Sequence, residues 1–286
     1  METIFANAKV NLSLAVTGRR SDGYHNLVAL NVPVSLCDKI TIGEAERDIL
    51  AADDESLLPG NIVGKVIAHM KRYVDKNFYI KLEKNIPLMS GFGGGSSDAA
   101  AVLKFLNGHY CLNFDEKALR EIALLFGADC PFFIKNKPAI VGGLGEKLAA
   151  LGDAFCANLA KYSIILFKPN VGISTGEAYQ KLQTRPELYV PENRAVDLIG
   201  KLVSSVNNFE PNLPLFNTFS QIAFDECSGL ALLRKHLPCP MALSGSGSGC
   251  FCIFQDAGLE SEIVRTVKAV LGRNAFVKKC AVIRSR

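Results

Sequence analysis

The chain has 286 residues, 49% of them hydrophobic, which is enough for one large domain or two moderate ones with a sizeable buried core. Its formal charge is +4, and no dense run of Lys or Arg is present, which argues against a nucleic-acid-binding arm. No stretch approaches the roughly 18 apolar residues of a membrane span. The nine cysteines and four histidines show no metal-ligand spacing. We expect a cytoplasmic protein with reduced thiols and neither a membrane nor a nucleic-acid partner.

The first half of the chain mixes strands and helices. Strands are predicted over residues 3–17, 28–34, 39–42 and 78–82, with a turn over 18–23 and a helix over 61–74. Another helix is predicted over 97–107. Asp115 is placed to cap a following helix that ends at Phe126, with Gly127 as its C-cap. Pro131 is placed to open one more short helix.

The second half continues this mixture without a strict βαβ order. Strands are predicted over 162–167, over 275–283, and within 241–254 beside a loop of small residues; helices are predicted over 174–183, 194–206, 219–236 and 264–271. Such a mixture is typical of an α+β protein. A change in composition near residues 150–165 predicts a first domain over 1–160 and a second over 161–286.

Residues 87–101, PLMSGFGGGSSDAAA, carry the strongest signal of the chain. Four glycines in five positions allow backbone conformations that side chains forbid and let the backbone approach a ligand closely. The helical run that follows begins with unpaired N–H groups and a positive dipole end, which suit a phosphate. The segment therefore predicts a nucleotide site, the alternative being a flexible loop that only caps the helix. It lacks the Gly-Lys-Ser/Thr ending of a Walker A loop.

Three further segments offer polar side chains for chemistry. Lys9 and Asn11 share one side of the first strand, where burial is costly unless they are paired; an edge strand with Lys9 in water is the alternative. Tyr24 and His25 form a ring pair that suits a planar heterocycle, or else belong to an ordinary turn. Asp129 lies between a helix end and a proline, so its carboxylate either stands at a fixed corner or simply caps the next helix.

Read together, these segments resemble the GHMP kinase superfamily across essentially the whole chain. The matching stretches are residues 8–12 (AKVNL), 18–25 (GRRSDGYH), 87–100 (PLMSGFGGGSSDAA), 127–133 (GADCPFF) and 244–247 (SGSG). The resemblance implies an α+β, two-domain GHMP kinase fold with the active site in the cleft between the domains. Residues 30–37 and 248–249 depart from the usual pattern, which bears on the details of substrate contacts.

The resemblance also implies an activity. The γ-phosphoryl group of ATP would move, with Mg²⁺, to the 2-hydroxyl of a cytidine diphosphate-linked methylerythritol, a step of the non-mevalonate isoprenoid precursor pathway. Asp129 would act as the base or orient the hydroxyl, and Lys9 would stabilise the developing alkoxide. Other GHMP enzymes, such as homoserine, mevalonate or galactose kinase or diphosphomevalonate decarboxylase, are alternatives, as is a non-catalytic nucleotide-binding relative. Monomer and homodimer both stay open.

By the same resemblance, His25 would read the cytosine between the rings of Tyr24 and Tyr179. Thr175 would face the diphosphate, and Asn11 would hold the substrate near Lys9. No side-chain motif for a metal is present; Mg²⁺ would arrive with ATP, and Ser97 is its candidate contact. Asp98 is expected to turn away from the anion or to lie near Mg²⁺. The implied ATP-binding residues are Pro87, Leu88, Met89, Ser90, Gly91, Phe92, Gly93, Gly94, Gly95, Ser96 and Ser97.

Overall fold

A computed structural model describes residues 1–283 of the chain. The chain forms two compact units that interleave along the sequence. Unit 1 comprises Met1–Ala8, Leu36–Ile86 and Gly93–Asn136, and unit 2 comprises Lys9–Ser35, Pro87–Phe92 and the described chain from Lys137 onward. The single domain boundary near residue 160 stays a prediction.

Two long strands contribute residues to both units. Strand β1 covers Glu2–Arg19 and strand β2 covers His25–Ala45. The prediction of separate strands over 28–34 and 39–42 was wrong, because β2 continues through both. The fully buried Asp38 lies at the expected break, and its carboxylate accepts hydrogen bonds from the backbone N–H groups of Asn85 (2.6 Å) and Ile86 (2.8 Å). A segment distant in sequence therefore satisfies the buried carboxylate at the point where the sequence predicted a break.

Unit 1 packs helices on a small sheet. In that sheet β4 pairs antiparallel with the second half of β2 and parallel with β3. Its elements are β3 (Ile49–Ala52), α1 (Ile62–Met70), β4 (Asn77–Glu83), α2 (Gly94–His109), α3 (Glu116–Leu124) and α4 (Cys130–Lys135), with a 3₁₀ turn at Glu55–Leu57. In β4, Phe78, Ile80 and Leu82 alternate with more exposed residues, as expected for a strand with one buried face.

Unit 2 contains a four-stranded sheet in the order β11–β7–β10–β9, with all neighbours antiparallel. In addition, β5 pairs with the first half of β2 and with β6, and β8 pairs with β1. The strands are β5 (Ala139–Gly143), β6 (Lys147–Ala150), β7 (Ser163–Lys168), β8 (Phe216–Asn217), β9 (Met241–Leu243), β10 (Cys250–Phe254) and β11 (Phe276–Cys280). The helices are α5 (Asp153–Leu159), α6 (Thr175–Gln183), α7 (Glu192–Asn207), α8 (Ser220–Glu226), α9 (Ser228–His236) and α10 (Glu260–Leu271).

Most predicted elements are present, and the differences have local causes. Asp115 caps α3 as predicted, accepting from the Ala118 N–H at 2.8 Å, but Leu125 rather than Gly127 is the C-cap. The helix predicted over 219–236 is two helices, because Cys227 adopts extended angles between them. In the described part of the chain, no helix combines the length and the apolar character needed to cross a bilayer.

Candidate active site

The glycine-rich segment leads directly into α2. Gly91 and Gly93 both have left-handed backbone angles (φ +72° and +77°), which side-chain-bearing residues adopt only with strain. Gly93 is the N-cap, and its carbonyl accepts the first helical hydrogen bond from the Ser97 N–H at 2.9 Å. The helix therefore begins three residues before the predicted start. Its first-turn N–H groups have no acceptor within the helix, which makes this turn suitable for a phosphate.

In unit 1 the first turn of α2 lies beside the turn that carries Asp129. The Ser96 hydroxyl hydrogen-bonds the Cys130 thiol. A Cβ on Gly127 would lie 3.7 Å from the Ser96 Oγ, so a side chain at this position would touch the helix start. Burial raises the pKa of Cys130 to about 12, which makes this thiol a packing group rather than a nucleophile.

Asp129 occupies the N-cap position of α4, but its side chain makes no capping hydrogen bond. The simple alternative, that this aspartate only caps the helix, is therefore not what the structure shows. Its backbone is helical (φ −83°, ψ −17°), and its side chain is half-buried. The carboxylate thus stands at a corner defined by Gly127 before it and Pro131 after it.

A buried charged cluster supports the same helix start. The Lys84 ammonium bonds the carboxylates of both Asp38 and Asp98, which are 0% and 2% exposed. Asp98 therefore turns into the protein, as one of its two sequence-based alternatives predicted. Burial raises the pKa of Asp98 to about 7, with the Asp38 carboxylate adding to the effect and Lys84 opposing it. Burial by itself lowers the pKa of Lys84. The two carboxylates outweigh this effect, so the pKa of Lys84 is raised.

In unit 2, Lys9 is 2% exposed and donates from Nζ to the Asn11 Oδ1 at 2.6 Å. The edge-strand alternative, with Lys9 in water, is wrong. The Asn11 side-chain amide in turn donates to the Asn31 Oδ1 at 2.5 Å, and the Asn11 Oδ1 accepts from the Gly245 N–H at 2.7 Å. Asn11 therefore connects Lys9 to β2 and to the late small-residue loop. We call Lys9, Asn11 and Asn31 the amide cluster.

The late loop, residues 244–249, packs backbone to backbone against the glycine-rich segment. The Ser244 hydroxyl donates to the Gly91 carbonyl at 3.0 Å, and a Cβ on Gly91 would lie only 1.9 Å from the Ser244 carbonyl oxygen. Likewise, the Gly249 N–H donates to the Ser90 carbonyl at 3.1 Å, and a Cβ on Gly249 would lie 2.3 Å from that carbonyl oxygen. At these positions, glycine is required by loop-to-loop contact.

Aromatic rings surround His25 in unit 2. The Tyr179 ring lies 4.7 Å from the imidazole, centroid to centroid, and the Tyr189 ring lies 6.0 Å away and nearly parallel at 10°. The Phe219 ring meets Tyr179 edge-on at 4.9 Å. Burial, aided by the charge of Arg19, lowers the pKa of His25, so the imidazole is neutral at pH 7. We call His25, Tyr179 and Tyr189 the ring cluster.

Two other residues in the predicted substrate site lie in more open surroundings. The side chain of Tyr24 points into solvent, and the residue is 66% exposed. Thr175, the first residue of α6, accepts at Oγ1 from the Ser246 hydroxyl at 3.1 Å, which places it against the late loop. The sequence identified His25, Thr175 and Tyr179 as site candidates. It did not identify Tyr189, the second ring beside His25.

Three residues of these networks were missed. Tyr189 gave no signal, because an aromatic residue after a Pro-containing turn is ordinary. Asn31 could have been noticed as an amide within an apolar strand. Asn217 donates to the carbonyls of Leu243 (2.8 Å) and Gly245 (2.9 Å), which supports the late loop from β8.

Comparison with known proteins places these features in a family. Residues 61–137 match the model described as GHMP kinases N terminal domain. Curated 4-diphosphocytidyl-2-C-methyl-D-erythritol kinases are similar over most of their length. That of Porphyromonas gingivalis is 35% identical over 271 residues, 88% of this chain and 92% of the relative. That of Bacteroides fragilis is 32% identical over 262 residues, 87% of this chain and 91% of the relative. The chain belongs to this kinase family.

Solved structures agree with that assignment. A crystal structure of 4-(cytidine 5'-diphospho)-2C-methyl-D-erythritol kinase matches with a TM-score of 0.78 and 27% identity, covering 98% of this chain and 99% of the other. Homoserine kinase from Cytophaga hutchinsonii matches with a TM-score of 0.74 over 100% of this chain and 96% of its own, but at 15% identity this likeness concerns the fold alone. The predicted α+β GHMP kinase fold is confirmed, and the protein is an ATP-dependent kinase of a small molecule.

Proposed function

We propose that this kinase transfers the γ-phosphoryl group of ATP to the 2-hydroxyl of 4-diphosphocytidyl-2-C-methyl-D-erythritol, giving the 2-phosphate and ADP. Membership of the family carries the proposal, and the ring cluster is the feature of this chain that fits it. A buried, neutral imidazole beside two phenol rings suits a planar base. Homoserine and mevalonate contain no ring, so acceptors of that kind leave the cluster without a ligand. We place the reaction in isoprenoid precursor synthesis, in the cytoplasm.

The chemistry requires a group that accepts a proton and a group that stabilises negative charge. The 2-hydroxyl oxygen attacks the γ-phosphorus, the bond to the β–γ bridging oxygen breaks, and the hydroxyl proton moves to Asp129. Lys9 stabilises the alkoxide character of the attacking oxygen. The oxygen that Asn11 offers Lys9 is neutral, so this contact orients the ammonium without changing its charge. A positioned base contributes about 10²–10⁴ in rate, and the remainder comes from alignment.

ATP would be held by residues 87–97. The left-handed angles of Gly91 and Gly93 let the backbone turn sharply, and the first turn of α2 presents its N–H groups and the positive end of its dipole. The charged cluster leaves this turn unobstructed because Asp98 points inward. The late loop contacts the segment as well, through the hydrogen bond from the Ser244 hydroxyl to the Gly91 carbonyl.

Mg²⁺ would arrive with the nucleotide and neutralise charge on its phosphates. Within residues 1–283, no group of three or more His, Cys, Asp or Glu side chains could hold a metal by itself. We expect the ion to be bound mainly by phosphate and water, with Ser96 or Ser97 supplying at most one oxygen. Ser97 is 3% exposed and Ser96 half-buried, so Ser96 is the more open of the two.

On the acceptor side, His25 would hydrogen-bond the cytosine, and Tyr179 would stack on it. Thr175 would contact the diphosphate, and Asn11 would hold the sugar alcohol near Lys9. The solvent-facing ring of Tyr24 is available to cover the base from outside. These roles, and an active site between domains 1–160 and 161–286, stay proposals.

The test is a coupled assay of ADP formation with Mg·ATP and three acceptors: the cytidylated diphospho-sugar, homoserine and mevalonate. We expect turnover with the first alone, and a loss of about 10²–10⁴ in kcat for Asp129→Asn with the Kd for ATP unchanged. Turnover with homoserine or mevalonate would assign the chain to another GHMP activity. ATP binding without turnover of any acceptor would identify a non-catalytic nucleotide-binding relative.

A further inference from the structure

The side chain of Tyr189 is held against His25 by a hydrogen bond that has no role in the function proposed above. Its hydroxyl lies 3.1 Å from the imidazole Nε2, and the two rings are nearly parallel. The backbone fixes this position from both sides. A 3₁₀ turn at Pro186–Leu188 ends at Tyr189, and the next N–H, that of Val190, donates to the Val16 carbonyl of β1 at 3.0 Å.

The direction of this hydrogen bond depends on the tautomer of His25, and the chemistry of the two groups favours donation by Tyr189. A phenol is a good donor, and an unprotonated imidazole nitrogen is a good acceptor. His25 is 7% exposed, and Arg19 contributes a positive charge nearby, so the ring is neutral and carries one N–H. If the Tyr189 O–H donates to Nε2, that single N–H must be on Nδ1.

We propose that Tyr189 is a positioning residue that selects the Nδ1–H tautomer of His25 and so makes His25 a hydrogen-bond donor toward the acceptor's base. The inference rests on the proposed function, in which His25 contacts that base. On its pairing edge, cytosine presents acceptors at O2 and N3, whereas uracil carries a hydrogen at N3. A donor at His25 directed at N3 therefore favours a cytidylated over a uridylated acceptor, and the opposite tautomer would lose this preference.

The tautomer can be measured without any substrate. ¹⁵N-labelled histidine distinguishes the protonated from the unprotonated ring nitrogen, and His25→Gln assigns the signal among the four histidines. At pH 7.5 we expect His25 to show an Nδ1–H form in the unmodified protein and a shift toward the Nε2–H form in Tyr189→Phe. An Nε2–H form in the unmodified protein, or no change in the variant, would overturn the inference even if the enzyme is inactive.

Kinetics test the consequence for specificity. Tyr189→Phe should raise the KM for the cytidylated acceptor about tenfold, as for one hydrogen bond, and reduce discrimination against the uridylated analogue by a similar factor. The kcat and the KM for ATP should stay within about twofold. Tyr110→Phe is the matched control, since its hydroxyl donates to Glu44 at 2.9 Å in unit 1 and its loss should leave both acceptor constants unchanged.

A failure of the proposed function can be distinguished from a failure of the inference about Tyr189. If the unmodified enzyme turns over none of the acceptors, the proposed function fails, and the NMR result alone decides the role of Tyr189. If the enzyme is active but Tyr189→Phe keeps both the acceptor KM and the base preference, the specificity role of Tyr189 is overturned while the proposed function stands.

Discussion

The charged cluster of unit 1 and the amide cluster of unit 2 each bury one lysine, but they do so with different partners. Lys84 bonds two carboxylates, Asp38 and Asp98, whereas one contact of Lys9 is with the neutral amide oxygen of Asn11. Each cluster adjoins part of the glycine-rich segment: Asp98 lies in α2 just after its first turn, and Asn11 bonds the loop that contacts Gly91.

The difference separates a structural role from a chemical one. In the charged cluster, Asp38 also receives two backbone N–H groups from residues 85–86, so the ion pairs anchor the chain just before the glycine-rich segment. A buried charge left without its partner is strongly destabilising. In the amide cluster, the bonded oxygen orients an ammonium and adds no charge of its own, which suits a group that must stabilise charge in the reaction.

The largest expected effect is on stability. Lys84→Met leaves two carboxylates buried without their ammonium, and we expect the free energy of unfolding to fall by about 3–5 kcal/mol in urea titrations at pH 7.5. The control is Lys39→Met, which removes a half-exposed pair with Glu83 and should cost about 0–1 kcal/mol. Equal costs for the two variants would remove the distinction between an anchoring pair and a surface pair.

Lys9→Met should affect the reaction more than the fold. We expect kcat to fall by about 10²–10³, since a preorganised group that stabilises transition-state charge is lost. The neighbouring amide bonds of Asn11 to Asn31 and Gly245 remain, so the Kd for ATP and the circular dichroism spectrum should change little. A variant that unfolds, or one with normal kcat, would contradict the chemical role given to the amide cluster.

The charged cluster should also make stability depend on pH. Asp98 has a pKa of about 7 in the folded protein, above the ordinary 3.8, so the folded state holds a proton that the unfolded state has lost. Stability should therefore fall as pH rises from about 4 to 7, by up to about 1.4 kcal/mol per pH unit, and level off above pH 7. Asp98→Asn should flatten that slope in urea titrations, whereas the exposed Asp53→Asn should keep it.

Asn11→Asp places a carboxylate beside Lys9 in the amide cluster with almost no change in side-chain shape. The new carboxylate would partly neutralise Lys9, and we expect kcat to fall about tenfold, which corresponds to about 1.4 kcal/mol. Rapid-quench measurement of a single turnover separates this effect from product release. An unchanged rate would mean that the neutrality of the Asn11 oxygen is unimportant.

Residues that act from one contiguous stretch could be predicted, because local sequence determines local backbone. The glycine-rich segment, the corner at Asp129 and the Lys9–Asn11 pair on one strand face are of this kind. For Asp98 the sequence left two alternatives, turning away from the anion or lying near Mg²⁺, because a carboxylate beside a bound anion is unfavourable; the structure shows it turned into the protein.

The rest depends on partners distant in sequence. The continuity of β2 depends on backbone N–H groups that reach Asp38 from residues 85–86. The place of Tyr189 depends on a hydrogen bond between Val190 and Val16. The break at Cys227 interrupts a stretch with continuous helical periodicity. For β2 and Tyr189, tertiary contact decided what periodicity and spacing left open.

³¹P NMR of the product can show whether phosphate is transferred to the 2-hydroxyl of the cytidylated acceptor. Incubation of the enzyme with Mg·ATP and the acceptor should produce ADP and one new phosphomonoester signal in equal amounts. Its proton coupling should be absent, since carbon 2 of the methylerythritol bears no hydrogen, while the diphosphate signals of the acceptor persist. A phosphomonoester coupled to protons or a lengthened diphosphate chain would contradict transfer to the 2-hydroxyl. So would release of ADP and inorganic phosphate with no new phosphomonoester.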